Sequence, residues 1–253
     1  MTAEKLVAEI LGTMILILLG DGVVAGVLLA RTKTNALSAG SGWIVITWAW
    51  GMAVFAGIAV AGNFSGAHMN PAVTIAVWLQ DLLAGTNAFG VDQLIGYWCG
   101  EFIGAMIGAT LVWLHYYPHW AGTEDAGLKL AVFCTAPAIR NVTWNLVSEI
   151  IGTFVLVFVG FSLAWASNAA IGGALGWGLL VLVIGLSLGG TTGYAINPAR
   201  DLGPRIMHYL LPIPGKGGSD WEYSWIPVVG PLIGGSLGVI VFYYGITKFV
   251  AGG

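Results

Sequence analysis

Charge is what this sequence lacks. Of 253 residues, only 8% are Asp, Glu, Lys or Arg, against about 25% in soluble globular domains. That excludes an ordinary water-soluble enzyme. Cations are especially sparse: nine Lys+Arg against twelve Asp+Glu leave a net charge of -3, with no basic face for nucleic acid. Cysteine is nearly absent. Cys99 lies in an apolar run and Cys134 in a polar connection, so neither a disulfide framework nor a metal-ligand spacing exists. No HExxH, P-loop or CxxC pattern occurs, and neither cofactor nor metal is expected. Gly185-Leu186-Ser187-Leu188-Gly189 matches G-x-S-x-G, but it closes an apolar run rather than a strand-to-helix turn, which excludes the hydrolase elbow. What is abundant is apolar: 57% hydrophobic residues, 39 glycines and a mean hydropathy of +0.86. This is the composition of a polytopic membrane protein with closely packed helices.

Crossing the hydrocarbon takes roughly 20 apolar residues. Six runs qualify, at 6–30, 43–61, 93–116, 145–167, 174–190 and 224–248. The first is too long for the core of a cleaved signal. Two shorter apolar stretches, 68–79 and 197–211, cannot span, and Asn-Pro-Ala stands at or near the start of each. They read as re-entrant half-helices. A repeat runs through the chain. Glu9-Ile10-Leu11-Gly12-Thr13 returns as Glu149-Ile150-Ile151-Gly152-Thr153. Trp50-Gly51 returns as Trp177-Gly178, and the Gly66 to Ala72 segment returns, in the same register, as Gly193 to Ala199. Gly100, Gly104 and Gly108 return as Gly230, Gly234 and Gly238. The matches keep their order and nearly their separation. The two halves, about 6–116 and 145–248, form one transmembrane domain over 1–253. Each half holds three full spans, an odd number. The second half therefore enters from the opposite side, and the repeats are inverted. The fold class is all-α membrane protein, with six transmembrane helices and two re-entrant half-helices.

Asn caps a helix well and Pro suits its first position, so Asn70-Pro71-Ala72 and Asn197-Pro198-Ala199 begin the half-helices. Each N-terminus carries roughly half a positive charge. Two of them facing each other at mid-membrane orient a dipole and repel cations. The non-helical backbone before each motif is tolerated only in protein or along a wet cavity. This assigns the backbone of Ser65, Gly66, Ala67, His68, Thr192, Gly193 and Ala195 to the path wall. Glu9 and Glu149, at matching depths, can accept hydrogen bonds from these loops.

These residues resemble the aquaporin family over nearly the whole chain, in its glycerol-facilitator branch. Asp201 directly after Asn197-Pro198-Ala199-Arg200, Arg205, the Pro231-Leu232 pair, and the roughly 28-residue connection between spans three and four carry the resemblance to that branch. The resemblance implies a selectivity filter of Trp48, Gly185, Tyr194 and Arg200, with Asp201 and Arg205 as structural support. It implies a passive channel for glycerol, other small neutral solutes and water, and a homotetramer with both termini cytoplasmic in a plasma membrane. Gly185, where water-selective members carry His, widens the constriction, and Tyr194 replaces a common Phe. The Tyr hydroxyl predicts a substrate range reaching dihydroxyacetone or undissociated lactic acid. Glu101, where the family often has Gln, puts a titratable group in span three.

Some alternatives stay open at this level. A coupled secondary transporter also uses inverted repeats and broken helices. Arg200 can pair with Asp201 instead of facing a path. The GxxxGxxxG runs of spans three and six serve either the protomer or a subunit contact. Trp113, Tyr116, Tyr117 and Trp120 read as an interfacial belt. Charge counts favour the opposite orientation. Lys5 and Lys248 stand on the inner side that the resemblance assigns; Arg31, Lys33, Lys129, Arg140 and Lys216 stand on the outer.

Overall fold

The structure, a computed structural model, describes residues 1–37, 42–166, 172–250 and 252. Its long helices are α1 (Ala3–Leu28), α3 (Gly42–Ser65), α5 (Val91–His115), α8 (Val142–Trp165), α9 (Ala174–Leu188) and α11 (Ile226–Val241). The last continues as π-helical turns over Phe242–Val250. Shorter helices are α2 (Lys33–Leu37), α4 (Pro71–Ala84), α6 (Tyr117–Gly122), α7 (Ala126–Phe133) and α10 (Pro198–Leu210). Among the described residues, five helices are long and apolar enough to cross a membrane. The described part of α9 has 15 residues, shorter than the run expected over 174–190. Residue 167, the expected end of the fourth span, lies outside the described residues.

The half-helices begin where their capping chemistry places them. Asn70 and Asn197 are extended, and their side-chain oxygens accept from the N–H of Ala72 and of Ala199 and Arg200. Pro71 and Pro198 follow at the first helical position, where no N–H is needed. The half-helix α4 ends at Gly85, which is left-handed at φ 69°.

The two halves pack by the same rules. In each glycine run, a side chain would strike the main chain of the neighbouring helix. A Cβ on Gly104 would lie 2.3 Å from the Ile10 oxygen, and one on Gly234 would lie 2.3 Å from the Ile150 oxygen. Gly108 faces Met14 and Gly238 faces Phe154 in the same way. Both runs therefore bring helices of one protomer together, α5 onto α1 and α11 onto α8. Gly20 leaves room for the Trp50 ring, and Gly160 for the Trp177 ring. On the pseudo-two-fold axis the contacts become reciprocal. A Cβ on Gly51 would lie 2.6 Å from the Gly178 oxygen, and one on Gly178 would lie 2.7 Å from the Gly51 oxygen. Here α3 and α9 cross with backbones in contact.

The outer surface is studded with exposed Ile, Leu, Val, Phe and Trp, as on Val7, Ile44, Ile95, Ile151 and Val183. This is the surface that a hydrocarbon solvent permits. The N-terminus and the π-helical turns lie on one face: the Met1 ammonium pairs with Asp92 at 2.8 Å, and the Tyr243 hydroxyl donates to the Leu83 carbonyl. Trp120 does not join an interfacial belt. It is buried, stacks on Phe133 and donates to the Trp113 carbonyl, because the connection between spans three and four folds inward over α10.

Candidate functional site

The loops before the half-helices are held by carboxylates from α1 and α8. Glu9 accepts from the Ser65 hydroxyl (2.5 Å) and from the N–H of His68 (3.0 Å) and Met69 (2.7 Å). Glu149 accepts from the Thr192 hydroxyl (2.6 Å) and from the N–H of Ala195 (3.1 Å) and Ile196 (2.9 Å). Thus each carboxylate satisfies three donors that have no water to turn to. The clamp holds a costly backbone. Gly66 and Gly193 have φ of 87° and 82°, and the non-glycine residues Ala67, Met69, Tyr194 and Ile196 also have positive φ. Such residues cost of order 1–3 kcal/mol each and persist where the surroundings over-determine them. Among the described residues, the carbonyls of Gly66, Ala67, His68, Tyr194 and Ala195 accept no main-chain hydrogen bond, and these residues line the cavity described below.

The half-helix starts meet across the axis. The Asn70 side-chain nitrogen donates to the Ile196 carbonyl (2.9 Å), and the Asn197 nitrogen donates to the Met69 carbonyl (2.8 Å). Each amide has two N–H donors, so each nitrogen anchors the opposite loop with one and keeps the other. A cavity of about 540 Å³ reaches both asparagines. Gly66, Ala67, His68, Ala195 and Arg200 line it beside an apolar wall that includes Leu16, Val54, Ile58, Val73, Leu156 and Val181. Ser65, Thr192 and Gly193 do not line it. The two hydroxyls turn to the clamping carboxylates instead. Pro71, Ala72, Pro198 and Ala199 are buried as helix starts, and Ala72 presses its carbonyl toward Gly235. Glu101, buried, accepts from the Thr74 hydroxyl (2.6 Å), which also contacts His68.

The filter position assigned to Trp48 is corrected. Trp48 is 50% exposed and absent from the cavity wall. Trp50, two residues on, is buried, lines the cavity and lies under the Arg200 guanidinium, 4.3 Å from ring centroid to Cζ. Two positions on a helix differ by roughly 200°, so one Trp faces outward when the other faces in. The sequence signal was Trp50-Gly51 itself, the pair that repeats at Trp177-Gly178. Gly185 does not simply widen the constriction. A Cβ there would meet Tyr194 Cζ at 2.7 Å, so the Tyr194 ring occupies the space that the glycine leaves. Tyr194 packs edge-on against Trp43, whose indole N–H donates to the Gly185 carbonyl.

Arg200 does not pair with Asp201. Asp201 is taken by Arg205 (2.8 Å) and by the N–H and hydroxyl of Thr135. Arg205 also donates to the carbonyls of Thr135, Ser219 and Asp220. Arg200 instead donates to the Phe133 carbonyl (3.2 Å) and contacts Asp21 of α1 (3.5 Å). Residues 133–135, in the long connection, thus pin both arginines. Asp21 was not singled out from the sequence. Its signal was plain: a carboxylate inside an apolar run, where ionisable groups are rare. Among the described residues, no cluster of His, Cys, Asp and Glu can hold a metal ion.

Comparison with known proteins accords with this geometry. The Major intrinsic protein family model matches residues 1–242. A glycerol uptake facilitator protein of Streptococcus pneumoniae is 55% identical over 239 residues, 94% of this chain and 98% of that relative. Glycerol uptake facilitator protein 3 of Lactiplantibacillus plantarum is 51% identical, over 95% of this chain and 96% of that one. Among solved structures, the aquaglyceroporin from Plasmodium falciparum superposes with a TM-score of 0.78 at 27% identity, covering 98% of this chain and 97% of that one. By fold, site geometry and sequence, the chain belongs to the major intrinsic protein family.

Proposed function

We propose that this protein is a passive membrane channel that conducts glycerol, related small uncharged solutes and water in single file. It excludes ions and protons and is not an enzyme. The observation that carries the reading is the reciprocal meeting of Asn70 and Asn197 inside the cavity, with carbonyls and Arg200 on one side and an apolar wall on the other. Glycerol has a CH face and an OH face. Its CH edge can slide along Trp50, Tyr194 and the aliphatic wall. Its hydroxyls find donors in Arg200 and the asparagines, and acceptors in the loop carbonyls. An unreplaced hydroxyl hydrogen bond costs about 1–3 kcal/mol, so a continuous supply of partners flattens the barrier. Many weak sites favour passage over retention.

A coupled transporter needs spare titratable groups at the broken helices. Here Glu9 and Glu149 are committed to the loops, Asp201 to Arg205, Asp21 to Arg200, and Glu101 and His68 to Thr74, which favours the channel. The filter comprises Trp50, Gly185, Tyr194 and Arg200. The protein acts as a homotetramer in the plasma membrane with cytoplasmic termini.

Stopped-flow light scattering of reconstituted vesicles tests the function. Glycerol flux is expected to scale with gradient without saturating, and a pH gradient is expected to survive. Saturation at modest concentration, or proton leakage that follows protein content, would overturn the channel reading. Tyr194→Phe tests the hydroxyl; unchanged permeability for dihydroxyacetone and lactic acid relative to glycerol would remove it from substrate choice.

A further inference from the structure

We infer that Asp21 is a positioning residue of the filter: it draws the Arg200 guanidinium toward α1 and cancels its charge at the narrow end of the path. This rests on Arg200 being a filter residue. Asp21 is fully buried, with one carboxylate oxygen 3.5 Å from Arg200 and the other without a hydrogen-bond partner among the described residues. A buried carboxylate in a membrane helix needs a reason, and the internal repeat supplies a control. In the register that aligns Glu9 with Glu149, the counterpart of Asp21 is Phe161. In the register that aligns Asn70 with Asn197, the counterpart of Arg200 is Val73. The molecule thus carries a facing pair of charges at one pair of positions and two apolar residues at the equivalent pair, and Phe161 and Val73 both line the cavity. The repeat-related position carries Phe, so the helix fold by itself does not call for a carboxylate there, and the carboxylate answers to the guanidinium.

Geometry gives the pairing a consequence. Arg200 is held from three directions, by Asp21, by the Phe133 carbonyl and by the Trp50 face beneath it. Losing Asp21 releases one tether and leaves an uncompensated cation at the constriction. The guanidinium then leans into the path. Glycerol, which fills the path, is impeded more than water.

The test compares wild type, D21N, R200V and D21N/R200V in proteoliposomes, reading the glycerol-to-water permeability ratio. D21N is expected to lower the ratio about tenfold, the factor that about 1.4 kcal/mol of added barrier makes, and D21E to restore most of it. In the R200V background, D21N is expected to leave the ratio unchanged. That double variant removes both charges together, avoiding an uncompensated buried ion, so it reports even if D21N alone fails to fold. If R200V itself leaves the ratio at the wild-type value, the filter reading fails. If R200V shifts it and D21N does not, or if D21N shifts it equally with and without Arg200, the Asp21 inference fails while the filter reading stands.

Discussion

Gly185→Ala asks whether the Tyr194 ring defines the narrow point. The added methyl would lie 2.7 Å from Tyr194 Cζ, 2.9 Å from its hydroxyl oxygen and 2.8 Å from Thr47 Cγ2. Ordinary contact begins at 3.4 Å, so the ring must retreat from 2.7 Å to at least that distance at Cζ. Retreat along α9 meets the Gly189 backbone, which lies so near the ring that a Cβ there would be 2.5 Å from Tyr194 Cδ1. Retreat of α9 itself is opposed by the Trp43 indole, which holds the Gly185 carbonyl at 3.1 Å. The remaining direction is the cavity that Tyr194 lines. Overpacking of this kind costs about 1–3 kcal/mol of stability, visible as a lower unfolding temperature in detergent. In stopped-flow measurements, glycerol permeability should fall about tenfold and water by less than about twofold, since pore diameter discriminates against the larger solute. Adding Tyr194→Ala should return glycerol flux. Equal factors for the two permeants, or no loss in a variant that is folded and reconstituted, would refute the reasoning.

Four further outcomes follow from the same structure. Glu149→Ala strands the Thr192 hydroxyl and the Ala195 and Ile196 N–H groups, and should destabilise by more than about 3 kcal/mol at about 1–3 kcal/mol per stranded donor, read by thermal unfolding. Arg205→Lys keeps the charge beside Asp201 but cannot reach Asp201 and three carbonyls with one ammonium, and should cost about 1–3 kcal/mol for each acceptor left unpaired, read by thermal unfolding. Arg140→Ala opens an exposed pair with Asp220 that salt already screens; the change in unfolding free energy should stay below about 1 kcal/mol. Gly51→Ala drives a methyl into the Gly178 carbonyl, and a thermal shift matching that of Gly178→Ala would follow from the reciprocal contact.

The long apolar runs and paired Asn-Pro-Ala motifs made the fold class readable, because run length and half-helix length obey the thickness of the bilayer. Glycine spacing announced the α1–α5 and α8–α11 contacts through the repeat. What stayed hidden depended on helix rotation and on long-range partners. Trp48 and Trp50 are both tryptophans within one turn; the repeat of Trp50-Gly51 at Trp177-Gly178 marks the inward one, and the hollow at Gly20 and the Gly51–Gly178 crossing fix that rotation. The pairing of Arg205 with Asp201 is local, within one turn of one helix. The pairing of Arg200 with Asp21 joins opposite halves of the chain and has no local trace. Ser65 and Thr192 stood beside residues that line the cavity, but each hydroxyl was drawn away by a carboxylate on another helix.

The left-handed loops carry a consequence for assembly. Their conformations are unfavourable alone, and each becomes tenable only after α1 or α8 delivers its glutamate. Even then, each asparagine finds its acceptor on the other half of the chain. A membrane-inserted first half therefore has spans but no finished loop, and neither does the second. Completion of the path therefore requires both halves together. Loss of one of these clamps, at Glu9, Asn70, Glu149 or Asn197, should thus appear as fewer finished channels rather than as channels of intermediate conductance.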